Sequence, residues 1–305
     1  SAQFVGHGRF ILVYSDLNRL SLWDAEAGAR IYGRALSGET TTVVSDTPSL
    51  APDERRLAVA VGKPFFQIWD VLAPQGERIL YYPAKPQETA SFVSLRGVRL
   101  SGDRTMFAAL WAESTPTTPA ITFHAVAETS PRFCLDAPVV PYAYSDAALS
   151  ADGSMLAAVL DSFVPTVWNQ ADCHLVCACS DHAGKVTSID FAPSGKEVAS
   201  ASWDKTARIW NAETGQTRLV LEGHTDSVLC ARFSPDGLKL LTTSVDGSAI
   251  VWSTQDGKKL TTFAEHACAV TNGGFSRDGR HVVTSGANGM ACVWSMEDGK
   301  NLGSM

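Results

Sequence analysis

No run of basic residues occurs anywhere in this chain of 305 residues, and its formal net charge is −7. Binding nucleic acid through its phosphates needs a basic footprint, so nucleic acid is not an expected partner. The pair Arg55-Arg56 reads as a solvated turn. No apolar stretch approaches the roughly 20 residues needed to span a bilayer, and the opening Ser1-Ala2-Gln3-Phe4 carries no signal-peptide pattern. A membrane is therefore not an expected partner either. Phosphate-cradling loops of the Gly-x4-Gly-Lys-Ser/Thr kind are missing. A disulfide framework is not expected, because the seven cysteines are odd in number and several fall inside predicted strands. Free buried thiols suit a reducing compartment, and the expected location is the cytoplasm.

What the chain does have is a folded composition, 45% hydrophobic and 19% charged, and an internal repeat. Trp168, Trp210, Trp252 and Trp294 stand 42 residues apart, as do His182, His224 and His266. Between each His and the next Trp run an apolar strand, a turn such as Ser-Pro-Asp-Gly (234–237), a second apolar strand, Asp or Asn, and an alternating segment that ends in Trp. Segments such as Met155–Leu160 and Leu238–Thr243 alternate with period two, the mark of half-buried strands. Asp-Gly pairs at 236–237, 246–247, 256–257, 278–279 and 298–299 supply tight turns. Counting outward, third strands are expected to end near Trp23, Trp69, Phe123, Trp168, Trp210, Trp252 and Trp294. The intervals are 46, 54, 45, 42, 42 and 42, so the C-terminal part is regular and the N-terminal part has drifted.

These residues resemble the WD-repeat family, whose units carry Gly-His near the start and Trp-Asp at the end. Trp23-Asp24 and Trp69-Asp70 match that ending literally; Trp168-Asn169, Trp210-Asn211, Trp252-Ser253 and Trp294-Ser295 are relaxed versions. The resemblance is strong over 180–300 and weak over 1–170. It implies an all-β fold, a seven-bladed β-propeller of four-stranded antiparallel blades, with residues 1–305 forming one domain. Phe4 matches the end of an innermost strand, so the chain is expected to begin partway through a blade, as a piece of a longer protein would. Lys300–Met305 is the candidate for the last outer strand.

Blade five holds His182, Ser202 and Asp204, and blade six His224, Ser244 and Asp246. A Ser-His-Asp set suggests nucleophilic catalysis, yet both sets recur at one offset from Trp210 and Trp252, Ser eight and Asp six residues before. They belong to the repeat rather than to a single centre, and no Gly-x-Ser-x-Gly elbow accompanies them. The resemblance implies a structural lock in which His, Ser, Asp and Trp form a buried hydrogen-bonded chain from the loop entering a blade to the turn between its second and third strands. A buried polar group left unpaired costs about 1–3 kcal/mol, which such a chain avoids. In blade seven His266 and Trp294 remain while Gly286 and Asn288 take the Ser and Asp places. Thr41, Ser91 and Val140 stand at the His place in blades two to four, so that half is expected to rest on apolar packing. Cys173, Cys177 and Cys179 share one strand parity near His174 and read as a half-buried thiol row, because structural zinc prefers turn-like Cys-x2–4-Cys spacing. No catalytic residue, metal or cofactor is expected.

In WD-repeat propellers the entering loops and the second-to-third-strand turns build the usual docking rim. On this chain that rim maps to Trp203 with its counterparts Val245 and Ala287, and to Lys185, Asp226 and Ala269 in the entering loops. Trp203 is either an aromatic anchor of the kind enriched at binding hot spots or a residue kept for packing. A second candidate is the long segment from Trp111 to Pro119, with 84–89 and the Phe163 loop (161–165) beside it. Such loops either carry function or have drifted.

The expected function is a non-enzymatic scaffold or sensor that holds a protein or peptide on its rim. The partner is either a separate molecule or another domain of a longer signalling chain. The alternatives are a substrate-recognition subunit of a ubiquitin ligase or another complex, and an enzyme with a site at the central channel. The last requires acidic or His residues unique to one blade and converging on the axis.

Overall fold

The computed structural model describes residues 146–304 apart from 160–163 and 173. Before 146 it describes 2–5, 9–15, 19–25, 29–35, 49–50, 56–60, 66–70, 78–81, 95–100, 106–111, 121–125 and 131–135. Among these residues there are strands and turns and no helix, and so no helix long and apolar enough to cross a membrane.

The strands form seven four-stranded antiparallel sheets, each built from four strands consecutive in sequence. Sheet one comprises Ala2–Val5, Phe10–Ser15, Arg19–Asp24 and Arg30–Ala35; sheet two, Ser49–Leu50, Arg56–Ala60, Phe66–Asp70 and Arg78–Tyr81. Sheet three comprises Leu95–Leu100, Met106–Trp111, Ile121–Ala125 and Pro131–Leu135; sheet four, Ala147–Leu149, Met155–Val159, Pro165–Asn169 and Leu175–Ala178. Sheet five comprises Val186–Phe191, Glu197–Ser202, Thr206–Asn211 and Thr217–Glu222; sheet six, Val228–Phe233, Lys239–Ser244, Ala249–Ser253 and Lys259–Phe263. Sheet seven comprises Val270–Phe275, His281–Gly286, Ala291–Ser295 and Asn301–Ser304. Trp23, Trp69, Phe123, Trp168, Trp210, Trp252 and Trp294 all lie in third strands. The fold is all-β and β-propeller-like.

The end of the chain supplies the expected outer strand, and its start falls on an innermost strand. Ala2–Val5 is the first strand of a sheet with all four of its strands, and Asn301–Ser304 is the outer strand of sheet seven. No strand is lent from one end of the chain to the other among the described residues. Sheet one instead meets sheet seven by packing, with Ala2, Phe4 and Ile11 against Val283, Ala291 and Val293.

Between the sheets lies the core. The second strands are buried along nearly their whole length, so both of their faces meet neighbouring sheets. Val159, Val167, Ile189 and Trp210 fill the space between sheets four and five. Ile209, Leu221, Val228 and Trp252 fill the next interval, and Val251, Phe263, Val282 and Trp294 the one after it. First strands of neighbouring sheets pack on one another, which identifies them as the innermost. A register shift falls immediately before Trp23, Trp168, Trp210, Trp252 and Trp294 on the side facing the fourth strand. A bulge re-aims the side chain beside it, and here it recurs at the residue that defines the repeat.

Candidate functional site

Two faces of the sheets are built by different loops. On one, the loop entering a sheet is tied to the turn between its second and third strands: Trp203 N–H donates to Lys185 O (2.9 Å), Val245 N–H to Ser227 O (3.0 Å) and Ala287 N–H to Ala269 O (2.8 Å). On the other, the remaining turns are joined, as in Ala212 N–H to Lys196 O (2.9 Å) and Thr254 N–H to Leu238 O (3.0 Å). The first face is the rim that carries the sequence candidates.

Beneath that rim run the repeated polar chains. In sheet five, His182 Nδ1 lies 2.7 Å from Asp204 Oδ2, His182 Nε2 lies 2.7 Å from Ser200 Oγ, and Trp210 Nε1–H donates to Ser200 Oγ at 2.7 Å. Sheet six repeats this with His224, Asp246, Thr242 and Trp252 at 2.9, 2.8 and 2.8 Å. An indole can only donate and an ionised carboxylate can only accept. One polarity therefore satisfies every atom: Trp N–H to hydroxyl oxygen, hydroxyl hydrogen to His Nε2, and His Nδ1–H to Asp. The same carboxylates also accept Ala183 N–H (3.1 Å) and Thr225 N–H (2.9 Å), which anchors the entering loop directly.

The hydroxyl in these chains corrects the sequence assignment. Ser202 and Ser244 do not join them; their oxygens accept the backbone N–H of Asp204 and Asp246, at 3.1 Å in both turns. Ser200 and Thr242 stand one pleat earlier, diagonal to the Trp across the second and third strands, where the indole N–H reaches. The signal was present in the sequence. The place ten residues before Trp holds Ser200, Thr242 and Thr284 in all three copies, whereas the place eight before fails at Gly286. Sheet seven consequently keeps its hydroxyl: His266 Nε2 and Trp294 Nε1 lie 2.7 and 2.8 Å from Thr284 Oγ1. It lacks only the carboxylate, since Asn288 Oδ1 accepts Met290 N–H (3.1 Å).

Burial pushes His182 and His224 below the ordinary histidine value, against the opposing pull of Asp204 and Asp246; for His266 burial acts without that opposition. Burial alone would raise the Asp246 carboxyl, but hydrogen bonds from Ser248, Thr225 N–H and His224 outweigh it and hold it at about 2. Asp204 is lowered in the same way by Thr206 and His182. The resulting Ser/Thr-His-Asp geometry is that of a hydrolase triad, yet Ser200 and Thr242 are both 0% exposed. A nucleophile sealed from solvent, with an indole N–H already on its oxygen, has no path to a substrate.

On the rim itself, Trp203 is 54% exposed, with Lys185 Nζ 5.4 Å from its ring centroid, so the structure brings two candidates together as a cation–π pair. Val245 is 39% exposed at the equivalent place one sheet on, and Met290 of the sheet-seven turn is 43% exposed. Asp226 is exposed beside Val245; its carboxylate accepts Ser227 N–H (2.7 Å) and its carbonyl accepts the Ser244 hydroxyl (3.1 Å). Gly184 lets the entering loop approach this closely, because a Cβ there would stand 2.5 Å from Asp204 N. Lys205 holds a left-handed backbone (φ 73°) where Gly247 and Gly289 stand in the next two turns. Trp111 ends the second strand of sheet three, while its side chain, Phe163 and the loop 112–120 lie outside the described residues. Of the proposed thiol row, Cys177 donates to Ala212 O (3.2 Å) and burial pushes the Cys179 thiol up to about 12, whereas Cys173 lies outside the described residues.

Comparison with known proteins points the same way as this geometry. The family model described as WD domain, G-beta repeat matches residues 173–211, 215–253 and 257–295. The chain is 41% identical over 69 residues to the Periodic tryptophan protein 2 homolog of Neurospora crassa and 37% identical over 84 residues to that of Mus musculus. Those segments cover 22% and 27% of this chain and 8% of each relative. A segment of 40 residues, 13% of the chain, is 45% identical to the DDB1- and CUL4-associated factor 13 of Xenopus laevis and covers 9% of it. The chain thus spans less than a tenth of the relatives it matches. Three matched repeats, each folded as strands around one His–hydroxyl–Trp chain, show that residues 173–295 carry WD repeats.

Proposed function

We propose that the chain is a non-enzymatic protein-interaction module that holds a protein or peptide on the rim carrying Trp203, Lys185, Val245 and Asp226, and acts as a scaffold in the cytoplasm. The carrying observation is Trp203: a large aromatic, 54% exposed, on a turn pinned by a buried polar chain. An aromatic held rigid before binding loses little entropy when it docks, which is why such residues dominate interfaces. Val245 and Met290 extend the apolar surface along the same rim. Five described cysteines, at 177, 179, 230, 268 and 292, are unpaired, which suits a reducing compartment. Within this reading the module regulates an effector domain of a longer signalling chain, and the rim over Trp111 and Phe163 is a second docking area.

A second reading, a subunit that recognises substrates for a ubiquitin ligase or another assembly, is favoured by the similarity to a protein named for association with DDB1 and CUL4. The test for both is affinity capture from source-cell lysate with three baits of matched folding: wild type, Trp203→Ala with Lys185→Ala, and Leu238→Ala. Leu238 is 64% exposed on the opposite face. A partner kept by the Leu238 variant and lost by the rim variant is the expected result. A partner lost only by the Leu238 variant would move the site to the other face and overturn the assignment. The identity of the captured protein separates the two readings.

A further inference from the structure

The innermost strands carry a charged cluster that the repeat does not explain. Positions 190, 232 and 274 are equivalent in successive sheets and hold Asp, Arg and Gly; positions 146, 188, 230 and 272 hold Asp, Ser, Cys and Asn. At the second set Asp146, Ser188 and Cys230 each bond to the next sheet. Asp146 Oδ2 accepts Ile189 N–H (3.2 Å) and the Ser188 hydroxyl (3.3 Å), while Cys230 Sγ–H donates to Asn272 Oδ1 (3.2 Å). Arg232 breaks this neighbour-to-neighbour pattern by reaching across two sheets. Its Nη1 donates to Ser188 Oγ (2.7 Å), Ile189 O (3.1 Å) and Ala231 O (3.0 Å), and its Nη2 reaches Asp146 Oδ2 at 3.4 Å. Asp190 closes the group by accepting Phe233 N–H (2.9 Å).

We infer that Arg232 is a fastener across three sheets, binding sheet four to sheets five and six, and that without it sheet four opens as a separate unit. Sheet four is the one that needs it. Its Trp168 N–H is taken up by Thr166 Oγ1 in the same strand (3.1 Å), whose own hydrogen goes to Ala158 O (3.1 Å) rather than to a His. Apolar contact with sheet five, through Ala148, Ala157, Val159 and Val167, is a second hold, and Cys177 Sγ–H donating to Ala212 O (3.2 Å) a third. Asp146 is 6% exposed, and removing the partner of a buried charge is far more damaging than removing a surface ion pair. The cluster therefore sits where the irregular half meets the regular one and sets how independently the two halves open.

Hydrogen exchange read by mass spectrometry on the full chain tests this with Arg232→Met, Asp146→Asn and the double variant. For Arg232→Met, protection at 147–149 and 156–159 is expected to fall about tenfold or more, while 282–284 and 291–294 stay within about twofold of wild type. Asp146→Asn keeps an acceptor for Ile189 N–H and is expected to show a smaller loss in the same segments. The double variant is expected to lose less than the sum of the two, since both single changes remove the same Arg232–Asp146 contact. Loss spread evenly over sheets four to seven, or no loss at 147–159 in either single variant, overturns the inference. Should Arg232→Met fail to fold, the same two criteria apply to Asp146→Asn.

Discussion

Trp23 and Trp168 in the irregular half and Trp210, Trp252 and Trp294 in the regular half occupy the same place in their strands and are used differently. Trp23 and Trp168 are half-buried, and each donates to a hydroxyl two residues back in its own strand, Ser21 (3.0 Å) and Thr166 (3.1 Å). The other three are buried and donate across to the second strand, to a hydroxyl that also holds a His from the entering loop. A local hydrogen bond satisfies the indole but ties nothing else down. A bond through Ser200 or Thr242 spends the same donor on joining three chain segments. The difference teaches that Trp marks the repeat, while a His in the entering loop lets the same donor help anchor the rim above it.

The comparison breaks most severely at His224. Replacing it with Ala leaves Asp246 and Thr242 without their shared partner, and a loss of about 2–4 kcal/mol is expected in urea unfolding. Stability equal to wild type would remove the chain from the account of the fold. Next comes the choice of hydroxyl: Ser200→Ala is expected to cost about 2 kcal/mol, since it strands both an indole and an imidazole, and Ser202→Ala about half that. The reverse order would return the role to Ser202.

Acid gives a graded version of the same contrast. Histidines whose folded values are lowered by burial take up protons first in the unfolded chain. Stability from this source is therefore complete above the ordinary histidine value of 6.5 and falls as the pH drops below it. Asp204 and Asp246 act in a lower window: their lowered carboxyls contribute above the ordinary value of 3.8 and lose that contribution as the pH falls toward 2. Melting temperatures measured from pH 7.5 to 5 should decline, and less steeply in His224→Ala. A flat profile in the wild type would contradict burial of neutral histidines.

The smallest expected effect is a gain. Asn288→Asp gives His266 the carboxylate that His182 and His224 already have, and about 0.5–1 kcal/mol of added stability is expected at neutral pH. A loss on that substitution would mean that the sheet-seven turn cannot take the geometry of the other two.

Legibility followed the repeat. Strand number, the third-strand residues and the two loop sets were readable because the 42-residue period superimposes three copies, so one correct reading serves all three. The lock was readable in its His, Asp and Trp and misread in its hydroxyl, because Ser200 and Ser202 share one strand face and parity alone cannot rank them. What ranks them is the diagonal reach of an indole across a strand pair. Arg232 was invisible for the opposite reason, since a residue that occurs once stands out only when the equivalent positions are compared for charge.

By itself the sequence determined the local outcomes: period-two strands, Asp-Gly turns, a Trp every 42 residues over the last copies, and the lack of a basic run or of an apolar stretch long enough to span a bilayer as a helix. These depend on contacts within about a dozen residues, which the order of residues specifies directly. Only the tertiary structure decided which hydroxyl completes each polar chain, that sheet one packs on sheet seven without a shared strand, and that Arg232 reaches Asp146 from 86 residues away. Those outcomes rest on distances between sheets. Such distances are set by how side chains fill the space between neighbouring sheets, and no single strand carries that information.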